Sequence, residues 1–456
     1  MPKAAIDEDR QACAGKDDVW ADQPVGRAQW QVDAEPQPSP MQLGTQLQLC
    51  LAVPTAVTLH PLGHRRSRWL RVWKGHACRE ANGVASGIRQ GRHNPLVLLP
   101  RYTAISLYAG AGGLDLGFSR AGFDLRWAID ADRYAVATYK ANLGDHIVRG
   151  ELPERQPPSS PRADLIIGGP PCQGFSVIGR MDPGDPRSEH VHAFLDVVER
   201  LEPRAFCMEN VKALGRAPRW KHIRDALVQR ARELEYQVEL MVLNAVDYGV
   251  AQARERMFLV GIRGGSPLCP VPTTKGAAPT VREALSRLPA FGEPGNSTKS
   301  TARVVPAPRP VMRPSPYKGS LLFNGSGRPL RLDAPAKTLP ASMGGNATPI
   351  IDQDELDLGA DPWVVGYHTR LASGRKPNKK APKRMRRITV EEAAELQSFP
   401  PEWMWEGPRN AAYRQIGNAV PPALSERVAI AIRQALEAVD DAGGSTQQAD
   451  ARLVSA

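Results

Sequence analysis

Six cysteines in 456 residues, at positions 13, 50, 78, 172, 207 and 269, form no C-x-x-C pair. That spacing argues against zinc, so no metal is expected. The scatter excludes a disulfide framework and fits a reducing compartment. No run approaches the roughly 18 uninterrupted apolar residues of a membrane span. The N-terminus lacks the basic start, apolar core and small-residue cleavage site of a secretory leader. A soluble, cytoplasmic chain without a membrane partner is expected. Acid is short as well: 59 Lys and Arg stand against 48 Asp and Glu, for a net charge of +11 and a pI of about 9.5. Excess positive charge points to a polyanion, usually nucleic acid, or else to a solvated basic surface. A hydrophobic share of 42% is enough for a real core.

The first hundred residues lack a sustained hydrophobic period. They are expected to be disordered or loosely attached, and an upstream start codon would account for them. Periodic order begins at "TAISLYAGAGG" near Thr103. From there short apolar runs alternate with amphipathic ones: "AISLY", "LRWAID", "ADLIIGG", "RAFCMEN", "QVELMVLNAV" and "RMFLVGIR" as strands, "DRYAVATYKANL", "HAFLDVVERLEP" and "IRDALVQRARELEY" as helices. This rhythm predicts an α/β fold, a mostly parallel sheet with helices on both faces, over 101–263. It breaks near Gly264, where a stretch rich in Pro, Gly and Ser begins, with "TVREALSRL" as its helix. Regular patterning returns at "ITVEEAAELQSF" and "PALSERVAIAIRQALEAV". The chain therefore divides into an extension (1–100), a sheet domain (101–263), an irregular region (264–387), a C-terminal return (388–440) and a frayed polar tail (441–456).

Three constellations carry chemistry. "YAGAGGLDLGF" sets Gly110, Gly112 and Gly113 at a strand-to-helix turn, where small residues admit a ligand to the backbone and the helix N-terminus offers N–H groups. Asp130 ends the next strand about 20 residues on, the usual place for a carboxylate that binds ribose hydroxyls. Leu114 and Asp115 after the third glycine break the G-x-G-x-x-G pattern, which favours S-adenosylmethionine over a dinucleotide. Next, "LIIGGPPCQGFS" places Cys172 directly behind Pro170 and Pro171. Proline fixes its own backbone and restricts the residue before it, so the pair aims the cysteine behind it. Cys172 is either a small filler or a nucleophile whose thiolate is the reactive form. Finally, "CMENV" ends a strand with Glu209 and Asn210, and "QARER" sets Gln252, Arg254 and Arg256 at alternate positions, pointing to one face.

The blocks "YAGAGG", "GGPPCQGFS", "ENV", "QARER", "DAPAKTL" and "IGNAVPP" occur in an order and spacing that resemble the DNA (cytosine-5)-methyltransferases, over about 103–436. The resemblance implies a Rossmann-like, S-adenosylmethionine-dependent sheet domain. It implies a cofactor pocket lined by Tyr108, Gly110, Gly112, Asp130, Pro170 and Asn418, with Glu151 against the adenine. Tyr108 stands where Phe is more usual, and Glu151 where Asp is. Cys172 would be the nucleophile, Glu209 the acid, Arg256 a donor to the target base and Arg254 its support, with "VIGRMDPGDPRSEH" as a lid. The region 264–387 would recognise duplex DNA. There "RLASGRKPNKKAPKRMRR" holds Arg375, Lys376, Lys379, Lys380, Lys383, Arg384, Arg386 and Arg387 with no acid, a stretch suited to phosphate contact. The likeness further implies a monomer and a restriction–modification setting with a cognate endonuclease as genetic partner. A tRNA-modifying branch of the family is the main alternative, disfavoured by the sizeable insert and basic loop. A DNA-binding protein without catalysis is disfavoured by intact Cys172, Glu209 and Asn418. A nucleotide-dependent oxidoreductase leaves "PPCQ" and "ENV" unexplained.

Overall fold

The structure, a computed structural model, describes residues 102–159, 162–171, 189–310 and 328–454, with 444–454 described as backbone only. Its strands are β1 Tyr102–Leu107, β2 Phe123–Asp130, β3 Ile147–Arg149, β4 Leu165–Gly168, β5 Ala205–Val211, β6 Tyr236–Asn244, β7 Gln252–Ala253, β8 Glu255–Arg263, β9 Ala336–Lys337, β10 Ile350–Asp352 and β11 Met385–Arg387. Its helices are α1 Gly113–Arg120, α2 Arg133–Leu143, α3 His190–Leu201, α4 Lys212–Arg216, α5 Lys221–Glu233, α6 Val281–Leu285, α7 Gln353–Leu358, α8 Trp363–Ala372, α9 Val390–Glu395, α10 Arg409–Asn418 and α11 Pro422–Val454.

Seven strands form the central sheet in the order β3-β2-β1-β4-β5-β8-β6. The first five run parallel; β8 is antiparallel to both β5 and β6. Period-two alternation decides which side chain meets which layer. On β1, Tyr102 and Ala104 face a core shared with α1 and α11 (Leu424, Val428, Ile432). Ile105 and Leu107 face the opposite core, built with Phe194 and Val198 of α3 and Leu227 of α5. Helices thus cover both faces, and the strands read as continuous apolar runs, as sheets buried on both sides do. The packing of α1 on α11 depends on missing side chains: a Cβ at Gly117 would lie 2.0 Å from Ser425 Oγ.

Beyond Gly264 regular structure is sparse but present. Helices α6 and α9 each start with a capping box, Thr280 with Glu283 and Thr389 with Glu392. Two-stranded sheets pair β10 with β11 and β7 with β9. These pieces share a third core that includes Leu332, Leu339, Ile351, Ile388, Phe399, Tyr413 and Ile416. The C-terminal end departs from expectation: α11 continues to Val454 instead of fraying at Asp440. Asp440 is tied down by Tyr102 Oη at 2.7 Å and by Arg204. Beyond it no proline interrupts a segment rich in Ala and Gln, both good helix formers.

Candidate active site

One register line organises the site. Ile129, Leu107, Gly168 and Met208 lie side by side across β2, β1, β4 and β5. The residues one step further along these parallel strands are Asp130, Tyr108, Gly169 and Glu209. At about 4.8 Å between strands, these four positions span roughly 14 Å of the sheet's C-terminal edge, where open α/β sheets bind ligands. Strand β3 reaches the same edge: Arg149 pairs with Asp130, and exposed Glu151 follows two residues later.

At one end lies the glycine turn. Gly110 has φ +57°, and a Cβ there would meet nothing within 4 Å, so the turn is open. Gly112, at φ +86°, precedes α1, and no side chain caps that helix. The carboxylate of Asp130 accepts from Gly110 N–H and Asp132 N–H, each at 2.8 Å, one on each oxygen. Every oxygen keeps a lone pair for a further donor, such as a hydroxyl. Burial raises the pKa of Asp130. Behind the turn, Asp115 is fully buried and accepts from Ser106 at 3.0 Å and Tyr139 at 2.9 Å, which fixes α1 to β1 and α2. Burial pushes the Asp115 carboxyl up to about 7.

Gly113 also has a packing job. A Cβ there would lie 2.5 Å from the carbonyl oxygen of Val420. Its lack of a side chain admits the "NAVPP" segment against the start of α1. That segment carries Asn418, exposed at the end of α10. The neighbouring Gly417 lets Pro340 and Ala341 approach, with contacts of 2.5–2.6 Å to where its Cβ would be.

At the other end of the line stands Glu209. It is 8% exposed, and its Oε1 lies 2.8 Å from Nε of Arg256. The antiparallel register sets Val211 opposite Arg256, so Glu209 and Arg256 are diagonal neighbours on one face. Burial raises the pKa of Glu209; the cations of Arg256 and Arg254 pull the other way without cancelling that. Its second oxygen, Oε2, is 3.0 Å from where a Cβ on Gly169 would be, so the glycine lets the carboxylate sit close against the β4 turn. Asn210 donates from Nδ2 to the carbonyl oxygen of buried Pro170 at 3.2 Å and accepts from Val211 N–H at 2.9 Å. It thereby clamps the start of the Pro-Pro turn onto β5. Cys172 and most of the expected lid, 177–188, lie outside the described residues.

Arg254 does not face the site with Arg256. It is fully buried, and its guanidinium donates to the carbonyl oxygens of Leu339 at 3.1 Å and Gly417 at 2.7 Å. Gln252 accepts from the N–H of that same Leu339 at 2.9 Å. The expected alternation fails because β7 ends at Ala253, and Arg254 sits at the break before β8. Arg254 is therefore a tie between three chain segments, acting on Glu209 through its charge alone. Sequence reasoning had no signal for this, since its partners are carbonyls 85 and 163 residues away.

The basic stretch divides. Arg375, Lys376, Lys379, Lys380 and Lys383 are exposed. Arg384 is not available in the way expected: it pairs with Asp352 and, at 3.2 Å, with Asp354. Arg386 is buried in a bidentate pair with Glu392, at 2.8 and 2.6 Å. Arg387 is buried against the carbonyl oxygens of Ala302, Arg303 and Thr348.

Comparison with known proteins points to one family. The family model of C-5 cytosine-specific DNA methylases matches residues 102–308 and 346–434. The Type II methyltransferase M1.HphI of Haemophilus parahaemolyticus is 31% identical over 351 residues, covering 74% of this chain and 88% of its own length. The Type II methyltransferase M.MthTI of Methanothermobacter thermautotrophicus is 32% identical over 345 residues, covering 73% and 98%. Among solved structures, the S. pombe Dnmt2 methyltransferase shares the fold, with a TM-score of 0.53 at 19% identity over 74% of this chain and 99% of that one. With motifs, fold and family match in agreement, this chain belongs to the C-5 cytosine-specific DNA methylases and is a DNA (cytosine-5-)-methyltransferase.

Proposed function

We propose that the protein methylates carbon 5 of a flipped-out cytosine within a specific duplex sequence, using S-adenosylmethionine, as the modification half of a Type II restriction–modification pair. The observation that carries this reading is the register line: a nucleoside-type cradle at Asp130 and Tyr108 sits beside a buried acid–arginine pair at Glu209 and Arg256. The open turn at Gly110 and the doubly held Asp130 carboxylate fit the cofactor's adenosine, with Glu151 and Asn418 at the rim. Bound there, S-adenosylmethionine supplies an electrophilic methyl group. Carbon 5 of cytosine is too weak a nucleophile to take it unaided. Cys172, the next residue after the clamped Pro-Pro turn, bonds to carbon 6. Glu209, whose hold on a proton burial strengthens, stabilises the charge that this attack sends to ring nitrogen 3, and Arg256 holds the base. After carbon 5 is methylated, its proton leaves to a base and the electrons of that C–H bond expel the Cys172 thiolate. A base inside a duplex is out of reach of such an edge, so it must leave the stack at a cost of a few kcal/mol.

The test is a covalent trap. Duplex DNA with 5-fluorocytosine at the target, located first by bisulfite sequencing of DNA from expressing cells, should cross-link to the wild type, because fluorine cannot leave as a proton does. Cys172→Ser should neither cross-link nor methylate, yet should bind S-adenosylhomocysteine as the wild type does. An active enzyme that gives no adduct overturns the nucleophile assignment.

A further inference from the structure

His190 opens α3, and its ring lies against Tyr108. The Tyr108 hydroxyl is 3.1 Å from Nδ1 of His190 and 3.4 Å from the His190 carbonyl oxygen. The two rings meet edge to face, with centroids 5.5 Å apart and planes at 86°. Burial, helped by the carboxylates of Asp196 and Glu154, pushes the Tyr108 phenol well above its usual range, so the hydroxyl keeps its proton.

Tyr108 also has an unusual backbone. Its φ is +54°, in the left-handed region that a bulky side chain seldom occupies. Such a residue persists where its surroundings over-determine it. On the chain side, the N–H of Ala109 donates to Ile129 O at 2.9 Å, and that of Gly110 to Asp130. On the side-chain side, the ring packs on the core under α3 and its tip is held by His190. The tyrosine at the start of the glycine turn is thus pinned at both ends, and one pin belongs to His190, where the stretch expected as a lid ends and α3 begins.

We propose that His190 is a positioning residue for the cofactor pocket: through the Tyr108 hydroxyl it sets the attitude of the aromatic ring beside the glycine turn, and so the affinity for the methyl donor. This rests on the reading of that turn as the S-adenosylmethionine cradle. The hydrogen bond links the turn to α3 directly, without passing through Asp130 or through the Asp115 carboxylate that ties α1 to α2.

The experiment measures S-adenosylhomocysteine binding by calorimetry for the wild type, Tyr108→Phe, His190→Ala, the double variant and His190→Asn, alongside steady-state methylation. Loss of one hydrogen bond should weaken binding about fivefold in either single variant. Because both remove the Oη–Nδ1 bond, the double variant should be no weaker than Tyr108→Phe, which also gives up the contact to the residue-190 carbonyl. Asparagine presents a polar atom close to the place of Nδ1, so His190→Asn should recover most of the affinity. In His190→Ala the KM for S-adenosylmethionine should rise in step with the lost affinity, while kcat at saturation stays within about twofold. Single variants with wild-type affinity, losses that multiply in the double variant, or an asparagine no better than alanine would each overturn the proposal while leaving the cradle intact. A wild-type protein that does not bind S-adenosylhomocysteine overturns the cradle and the proposal together.

Discussion

The sheet edge and the basic stretch after α8 both looked chemical in the sequence, and only the first is arranged as its spacing implied. At the edge, residues separated by up to 101 positions, from Tyr108 to Glu209, are aligned because neighbouring parallel strands run in register. Asp130, Tyr108, Gly169 and Glu209 are each one step past paired residues. In the basic stretch no such rule operates. Lys383 is exposed while Arg384, its neighbour, is spent on Asp352 and Asp354. Backbone periodicity propagates over distance; the fate of a charged side chain depends on whichever element packs beside it. A run of cations therefore states a total charge and not which members of the run are free.

The largest effect should come from the edge. Glu209→Gln keeps the size of the side chain and removes its ionisable proton. Single-turnover methylation should fall at least about a hundredfold, within the usual range for a general acid, with near-ultraviolet circular dichroism unchanged. Burial raises the pKa of Glu209, so the protonated acid persists to a higher pH than an ordinary carboxyl. The rate should fall as pH passes through the raised value for Glu209. Removing the nearby cation in Arg256→Ala raises that value further, so the falling limb should move to higher pH. A limb that stays put would show that Glu209 does not set it.

How much of this was legible depends on the kind of contact. The glycine turn, Asp130, the Pro-Pro turn and Glu209 were readable because strand ends and turn residues are local signals. The strand at "RMFLVGIR" was also readable, but its antiparallel direction was not, since direction is fixed by the partner and not by the apolar pattern. Helix α8 escapes the sequence reading although its buried Val364, Tyr367, His368 and Leu371 are spaced as one helical stripe, with Val364 clustered with Ile350 of β10 and Met385 of β11. Arg254 was misread for the same reason as Arg384. Its partners are backbone carbonyls of Leu339 and Gly417, which every residue possesses and no composition betrays.

A second test addresses what the spent cations do. Arg386 is bidentate to Glu392 and lies 3.7 Å from the ring centroid of Phe291. Breaking such a buried pair from one side leaves Glu392, 1% exposed, without its counter-charge. Arg386→Ala should cost roughly 3 kcal/mol of stability in a urea titration, the usual scale for an orphaned buried ion. The fraction that remains folded should still perform the chemical step. A loss of DNA affinity with unchanged stability would return Arg386 to the DNA-contacting set.

The smallest effects are the most discriminating, because they separate neighbours in one stretch. Lys379, Lys380 and Lys383 are exposed, and duplex phosphates would release a counterion for each lysine they meet. Changing all three to glutamine should weaken binding about equally for cognate and scrambled duplexes. The dependence of log K on log salt should become shallower by up to about 3, since each phosphate contact contributes nearly one. Arg384→Gln should leave that slope unchanged, because its guanidinium already faces Asp352 and Asp354. Its cost should appear instead as about 1 kcal/mol of stability, the scale of a partly exposed ion pair with hydrogen bonds. The measurement is binding across a salt series, with unfolding of each variant alongside. A slope that drops by about one in Arg384→Gln, at unchanged stability, would mean that DNA takes this arginine from its carboxylates and that the whole stretch works as one phosphate-binding strip. Unchanged slopes in both variants would make the lysines a solvated surface and move the phosphate contacts elsewhere in the recognition region.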